Sequence, residues 1–108
     1  MIPRLASGVW VAAYLARLEQ AGIYAHVMHR GDGTAGAIGV KVALMNGRAQ
    51  LLTRRYDFEG QAVWDETGEA EEPEVDAAIA RQRGYDPDLW VIEVEDPRGR
   101  HLLGEDGL

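Results

Sequence analysis

The chain has 108 residues, a length typical of one domain with its own core, and we expect a single domain over residues 1–108. It contains no cysteine, which excludes disulfides, thiolate metal sites and cysteine nucleophiles and fits a cytoplasmic location. The net charge of −7 argues against nucleic-acid binding. Charged residues interrupt the apolar N-terminal region well before the roughly 20 residues that cross a membrane, so no membrane association is predicted.

The first predicted element is a helix from about Gly8 to Ala21. Ser7 is a suitable N-cap, apolar residues recur at helical spacing, and Gly22 offers a C-terminal stop. The alternative for the start of this segment is a short strand at Val9–Val11.

From Ile23 the periodicity changes to that of strands. Ile23–His29 reads as a first strand, and Ala37–Met45 alternates apolar and small residues as a second. The pair Asn46-Gly47 suits a two-residue type I′ turn, so Arg48–Tyr56 should return antiparallel. A weaker fourth strand is predicted over Gln61–Asp65.

A second helix is indicated by Pro73 at its start, acidic residues in its first turn, basic residues in its last turn and Gly84 just past its end. Its thin apolar stripe needs a sheet to lie on. A turn then leads into Trp90–Glu95, the densest apolar strand of the second half, which we expect to pair with Ile23–His29.

These elements predict an α+β fold in the order helix, antiparallel β-meander of three or four strands, helix, and final β-strand with a short return. Charge divides along the chain. Residues 1–56 carry seven basic and two acidic side chains, and residues 57–108 carry four basic and sixteen acidic ones. The two halves either complement each other inside one fold or form a bipolar surface for a partner.

The glycine-rich segment Gly31–Gly36 matches G-x-G-x-x-G. A dinucleotide fingerprint must open a helix, whereas the residues that follow alternate as a strand does. A kinase-type glycine-rich hairpin fits better, but no kinase catalytic loop accompanies it. The segment is therefore a flexible hairpin tip or, as the alternative, a site for phosphate. The candidate ligand-binding residues lie on this loop and on the turn before the final strand: Arg30, Asp32, Asp86, Asp88 and Trp90.

No catalytic residue is assigned, because caps, turns and strand alternation account for the carboxylates. His26 and His29 are three apart on a strand and therefore point to opposite faces, so neither a metal site nor a cofactor is predicted.

The second predicted strand has one face of small side chains. Such a face indicates close packing by another element, either the alanine-rich first helix or a second copy of the protein. The candidate interface residues are Ala37, Gly39, Lys41, Ala43 and Met45.

Several segments together resemble a known family. They are Ser-Gly-Val-Trp-Val-Ala-Ala-Tyr-Leu at 7–15, Arg-Gly-Asp at 30–32 followed by Ala-Gly-Ala-Ile at 35–38 and Val-Lys-Val at 40–42, Ala-Ala-Ile-Ala-Arg-Gln-Arg at 77–83, and Tyr-Asp-Pro-Asp-Leu-Trp-Val-Ile-Glu-Val-Glu-Asp at 85–96. The family is the bacterial domain-of-unknown-function family 1491, found mainly in alphaproteobacteria. The resemblance covers nearly the whole chain and is most specific between residues 77 and 96. It implies a cytoplasmic protein of one domain and brings no assigned activity and no active site.

Three functions follow, in order of preference. The first is a non-enzymatic binding or adaptor module that forms a homodimer or binds a protein partner. The second is a small enzyme or ligand-binding protein for a phosphate-bearing or cationic metabolite at the glycine-rich loop. The third is nucleic-acid binding through Lys41, Arg48, Arg54 and Arg55. A concave pocket at the loop favours the second function, and a flat apolar patch favours the first.

Overall fold

The computed structural model describes residues 5–108, which form two helices and six strands. The elements, in chain order, are α1 Ser7–Gln20, β1 Tyr24–His29, β2 Ile38–Ala43, β3 Arg48–Tyr56, β4 Ala62–Glu66, β5 Ala70–Glu71, α2 Glu72–Tyr85 and β6 Trp90–Glu95. The predicted α+β class is confirmed, and the predicted bounds of β3 agree with the structure.

All six strands belong to one sheet in the order β1-β6-β2-β3-β4, and the short β5 also pairs with β3. β6 is antiparallel to β1, as the sequence predicted, and parallel to β2. The prediction of a purely antiparallel meander is therefore wrong, because β6 lies between β1 and β2. The cause is the apolar content of β6. Val91, Ile92 and Val94 are fully buried, which requires a neighbour on each side and cover on both faces.

One helix covers each face of the sheet. On the α1 face, buried aromatic and aliphatic residues of α1 pack against alternate residues of β2 and β6, including Trp10, Tyr14, Leu18, Val40 and Ile92. On the α2 face, a smaller cluster joins Val75 and Ile79 of α2 to Ala49, Leu51 and Val91. The sheet therefore separates two cores of different size.

The strand face of small residues is covered from within the chain. Gly39, Lys41 and Ala43 are buried, and the α2 face on which they lie is packed by α2. The sequence predicts α1 or a second copy of the protein at this face. α1 instead covers the opposite face, since the larger side chains of Val40 and Val42 alternate with the small ones. Met45 lies beyond the strand and is 60% exposed.

The prediction that Ser7 caps α1 is wrong. Ser7 is the first residue of the helix, its N-cap is Ala6, and the Ser7 hydroxyl donates to the Gly36 carbonyl at 2.6 Å. The first amides of the helix donate to the glycine-rich loop instead, Ser7 N to Thr34 O at 3.2 Å and Gly8 N to Gly33 O at 2.9 Å. Loop carbonyls thus satisfy donors that a side-chain cap would otherwise take.

The turn between β2 and β3 is not of type I′. Met45 (φ 64°) and Gly47 (φ 86°) have positive φ, and Asn46 does not. Leu44 N donates to Arg48 O at 3.0 Å, so the turn holds three residues. The Asn46 side chain accepts a hydrogen bond from Arg48 N at 3.0 Å, which explains the asparagine without a left-handed conformation.

The C-terminal end of α2 and the segment after β6 also differ from prediction. α2 continues through Gly84 to Tyr85, because Asp86 N still donates to Gln82 O at 2.8 Å. The return after β6 is not a strand; Leu102 and Leu103 pack against the α1-side core. Within residues 5–108 neither helix is long and apolar enough to span a membrane.

Candidate functional site

The glycine-rich loop lies directly against the turn that precedes β6. Asp32 N donates to Asp88 O at 3.0 Å, and the Trp90 indole donates to Asp32 O at 2.8 Å. The guanidinium carbon of Arg30 lies 5.5 Å from the centroid of the Trp90 ring. The structure therefore brings the loop residues and the turn residues chosen from the sequence to one end of the sheet.

Two glycines make this contact possible. A Cβ at Gly31 would lie 2.2 Å from Asp88 O, and a Cβ at Gly36 would lie 2.4 Å from the same carbonyl. Neither position tolerates a side chain, because backbone atoms cannot move aside as a flexible side chain can. Close packing of loop on turn accounts for these two glycines.

Two carboxylates at this end of the sheet, those of Asp32 and Asp86, accept hydrogen bonds within their own turns. Asp32 Oδ2 accepts hydrogen bonds from Thr34 N at 3.2 Å and from Ala35 N at 2.9 Å. Asp86 Oδ1 accepts one from Asp88 N at 3.1 Å. These contacts stabilise the local backbone of the loop and of the turn. The residues selected from the sequence thus form the support of the loop.

A cavity of about 480 Å³ opens on the α1 side of the same loop, and we call it the loop cavity. Its wall is made by the segment before and at the start of α1, by the second half of the glycine-rich loop and by the end of β3. The lining residues are Leu5, Ala6, Ser7, Thr34, Ala35, Gly36, Ala37, Arg54 and Tyr56. The five ligand-binding residues predicted from the sequence are not among them.

Arg54 places a positive charge on the wall of the loop cavity. Its guanidinium carbon lies 5.3 Å from the Trp10 ring and 5.4 Å from the Tyr56 ring, distances typical of cation–π contacts. The aromatic rings orient this charge at the cavity. The sequence contains a signal for this position. Leu52, Arg54 and Tyr56 are spaced two residues apart on one strand, so the two polar residues share the α1 face with the buried Leu52.

The other basic residues proposed for nucleic-acid binding do not join Arg54. Lys41 is buried, Arg48 pairs with Glu69 at 2.8 Å, and Arg55 pairs with Asp65 at 2.9 Å. These acidic partners all come from the second half of the chain, as does Glu105, which lies 3.7 Å from Arg17. The two oppositely charged halves therefore complement each other within the fold.

A second polar group lies on the α2 face, and we call it the Lys41 cluster. The Lys41 ammonium lies 2.8 Å from Glu72, 2.7 Å from Asp76 and 2.9 Å from Glu93, and its side chain is 2% exposed. Burial alone would lower the pKa of Lys41, but the hydrogen bonds to these carboxylates outweigh it and raise the pKa above its usual value. The carboxylates therefore hold Lys41 in its charged form.

Two further side chains adjoin Glu93. His26 is the antiparallel partner of Glu93 across β1 and β6, and its Nε2 lies 3.3 Å from Glu93 Oε1. Glu95 lies two residues along β6 on the same face. His26, Glu93 and Glu95 each offer one ligand atom, and these atoms lie within 4.8 Å of one another. Among residues 5–108 this is the group with the spacing closest to that of a metal site.

The family model described as "Protein of unknown function (DUF1491)" matches residues 5–104. The crystal structure of a DUF1491 family protein from Caulobacter crescentus CB15 is similar to this chain, with 39% identity, a TM-score of 0.84, and coverage of 94% of this chain and 97% of that one. An NMR structure of a DUF1491 family protein from the same organism has 40% identity and a TM-score of 0.80, covering 94% of both chains.

The solution structure of protein Atu0922 from A. tumefaciens is also similar, with 31% identity, a TM-score of 0.75 and coverage of 86% of each chain. No curated protein matches the chain.

Proposed function

We propose that this chain, which belongs to the DUF1491 family of proteins of unknown function, is a non-enzymatic binding module. It holds a small anionic ligand in the loop cavity. The observation that carries this proposal is a concave cavity at the glycine-rich loop with a guanidinium on its wall. At about 480 Å³ it lies within the roughly 300–1,000 Å³ range of small-molecule sites.

The charge of the lining favours an anion over a cation. Arg54 is basic, and the lining contains no carboxylate. The first amides of α1 already donate to carbonyls of the glycine-rich loop, so the positive potential on the described wall comes from Arg54. A phosphate or carboxylate group would meet this charge, whereas a cationic metabolite would be repelled.

The remaining lining groups suit binding more than chemistry. The lining residues include Thr34 and Tyr56, which carry hydroxyl groups, and the apolar residues Leu5 and Ala35. General acid–base catalysis needs a side chain that titrates near neutral pH, usually histidine or a carboxylate, and the lining contains neither. A cytoplasmic metabolite with a phosphate or carboxylate group fits this lining and the cysteine-free composition.

The test is a thermal-shift screen of the full chain against inorganic phosphate, pyrophosphate, nucleoside monophosphates and small dicarboxylates, followed by calorimetry on any hit. We expect saturable binding that Arg54→Gln weakens by about tenfold or more, since a hydrogen bond to a charged group contributes about 1.5–3 kcal/mol. Arg55→Gln is the matched control, because Arg55 is the next residue and pairs with Asp65 outside the cavity.

Arg54→Gln also removes ring contacts, so Thr34→Val serves as a second variant that leaves the aromatic rings in place. Silence across the whole panel, or equal affinity of the wild type and both variants, would refute the loop cavity as an anion site.

A second candidate function is association through β1, and the occupant we propose is a second copy of this chain. β1 is an end strand of the sheet, so one of its backbone edges has no strand neighbour among residues 5–108. Tyr24 is 63% exposed and Val27 is 37% exposed on this strand. An unpaired edge with apolar side chains is a template for antiparallel strand addition.

Light scattering after size exclusion tests this second candidate. A dimer at micromolar concentration that Val27→Lys dissociates would support it, with Ala62→Lys on the opposite edge strand β4 as the control. A monomer at every concentration would rule it out and leave the ligand proposal unaffected.

A further inference from the structure

We propose that His26, Glu93 and Glu95 form a binding site for one divalent transition-metal ion of the zinc class. The site lies on the α2 face of the sheet, across strands β1 and β6, whereas the loop cavity lies on the α1 side. The two sites therefore share no residue, and a test of one is independent of the other.

The strand register brings the three ligands together. His26 is the direct partner of Glu93, and Tyr24, two residues before His26, is the partner of Glu95. Side chains two residues apart on a strand share a face, so the imidazole stands beside both carboxylates. The pairing of β1 with β6 was predicted from the sequence, and this pairing was the signal that could have revealed the site.

The distances suit a tetrahedral ion after a small closure. Zinc binds nitrogen and carboxylate oxygen at about 2.0–2.2 Å, which places two ligand atoms of a tetrahedron about 3.4 Å apart. His26 Nε2 and Glu93 Oε1 are already 3.3 Å apart, and all three ligand atoms lie within 4.8 Å. Glu95 would complete the set by moving its carboxylate towards the other two ligand atoms, and the fourth position is left for water.

The hydrogen-bonding state of His26 also points to a ligand. The distance of 3.3 Å to Glu93 is longer than the usual 2.7–3.2 Å of an N–H···O bond. The other ring nitrogen, Nδ1, is buried and has no hydrogen-bond partner among the described residues. The long contact leaves Nε2 available for coordination beside the two carboxylates. Coordination through Nε2 places the ring proton on Nδ1, so the proposed site depends on Nε2 and the carboxylates and not on Nδ1.

The electrostatics of the surrounding cluster favour a cation. Four carboxylates, those of Glu72, Asp76, Glu93 and Glu95, lie on this patch with the single ammonium of Lys41, leaving a net charge of −3. Glu93 is 13% exposed, so solvent screens its charge only in part. A divalent ion would reduce the excess negative charge to −1.

Lys41 supports the site and does not compete for the same oxygen atom. Its ammonium contacts Oε2 of Glu93, while His26 faces Oε1. A ligating carboxylate whose second oxygen accepts a hydrogen bond is held in orientation by that bond, as in well-formed metal sites. The His26 side chain is 42% exposed, which gives the ion and its water a path from solvent.

The donor set decides the class of metal. One imidazole nitrogen and two carboxylate oxygens suit zinc, manganese and iron, whereas calcium and magnesium prefer oxygen atoms alone. The bound ion would join the end strand β1 to β6, so the expected consequence is a more stable edge of the sheet.

The experiment is calorimetric titration of the chelator-treated full chain with Zn²⁺ and with Mn²⁺. We expect one saturable site per chain, a higher melting temperature with Zn²⁺, and a loss of affinity of about tenfold or more in His26→Ala and in Glu95→Gln. Glu95→Gln leaves the ion pairs of Lys41 with Glu72, Asp76 and Glu93 intact, so it separates metal binding from folding.

His29→Ala is the matched control. His29 lies on the same strand, but a register shift after Val27 pairs it with Val91, away from the two carboxylates. The visible spectrum of bound Co²⁺ would report tetrahedral coordination in the wild type and its loss in His26→Ala. The absence of saturable binding, or equal binding by wild type and His26→Ala, would overturn the proposal.

Discussion

The two faces of the sheet solve the same packing problem with different chemistry. The α1 face is covered by large apolar and aromatic residues such as Trp10, Tyr14 and Leu18. The α2 face is covered by a helix with a thin apolar stripe, Val75 and Ile79, and its centre is an ammonium among three carboxylates. The contrast shows that the residues of a covering helix determine which side chains the strand beneath it can bury.

The difference is visible within a single strand. Val40 and Val42 of β2 point to α1, while Lys41 between them points to α2, and all three are at most 2% exposed. A lysine is tolerated there because α2 carries Glu72 and Asp76 in its first half, and β6 carries Glu93. A buried charge requires partners that are charged and hydrogen-bonded. The α1 face, with no acidic residue on the buried side of its helix, could not accept it.

The largest effect on stability should come from truncating a large apolar side chain on the α1 face. Leu18 is fully buried, and Leu18→Ala removes several carbons and leaves a cavity, so we expect the free energy of unfolding to fall by about 2–5 kcal/mol. Urea denaturation measures this loss. Val9→Ala, on the exposed side of the same helix, is the control and should change stability by less than about 0.5 kcal/mol. Equal losses in both variants would contradict the assignment of the core.

The next effect comes from the polar face. Lys41→Ala leaves Glu72, Asp76 and Glu93 without their cation, and we expect a loss of about 3 kcal/mol, the lower end for a broken buried pair, because Glu72 and Asp76 are more than a third exposed. The control is Arg48→Ala, which breaks an exposed pair and should cost at most about 1 kcal/mol. A loss below that of Arg48→Ala would show that the Lys41 cluster is not a stabilising element.

A smaller effect concerns the buried hydroxyl of Tyr14 on the α1 face. Tyr14 is buried, and its hydroxyl donates to the His101 carbonyl at 2.8 Å, joining α1 to the C-terminal segment. Tyr14→Phe keeps the ring and removes this bond, so we expect a loss of about 1 kcal/mol in thermal or urea unfolding. An unchanged melting temperature would mean that the C-terminal segment is held by its apolar contacts alone.

The smallest effect is a dependence on pH. Burial lowers the pKa of His101 more than the carboxylates of Glu66 and Glu105 raise it, and His101 Nδ1 accepts a hydrogen bond from Leu103 N at 3.0 Å. A lowered pKa in the folded state gives stability that is present above the unfolded pKa of about 6.5 and is lost as the pH falls through the folded value. Melting temperatures measured from pH 7.5 down to 5 should decline, and less steeply in His101→Asn. Superimposable curves would exclude His101 as the cause.

Local chemistry made part of the fold predictable. Pro73, the acidic first turn and the basic last turn specify α2 from neighbouring residues alone, and β3 could be bounded by its alternation and its preceding turn. The same local rules were wrong for Ser7 and Asn46. The first helical amides bind loop carbonyls instead of a cap, and Asn46 closes a three-residue turn with its side chain. Both outcomes depend on contacts that lie outside the local pattern.

The candidate sites show the same limit. The sequence identified the glycine-rich loop and the turn before β6, and these segments do meet, but Asp32 and Asp86 hydrogen-bond to their own turns. The cavity lies on the other side of the loop and takes Arg54 from β3. The spacing of His26 and His29 along one strand argues against a metal site. That spacing cannot show that Glu93 and Glu95, from a strand more than sixty residues later, lie beside His26.

By itself the sequence determined the fold class, most helix and strand positions, the pairing of β1 with β6 and the complementary charge of the two halves. These properties follow from periodicity, turn chemistry and composition, which act over a few residues or over the whole chain. Only the tertiary structure decided that β6 separates β1 from β2, which helix covers Lys41, and which side of the glycine-rich loop is open. Those outcomes depend on the competition of distant segments for the same buried surface, and no local pattern records it.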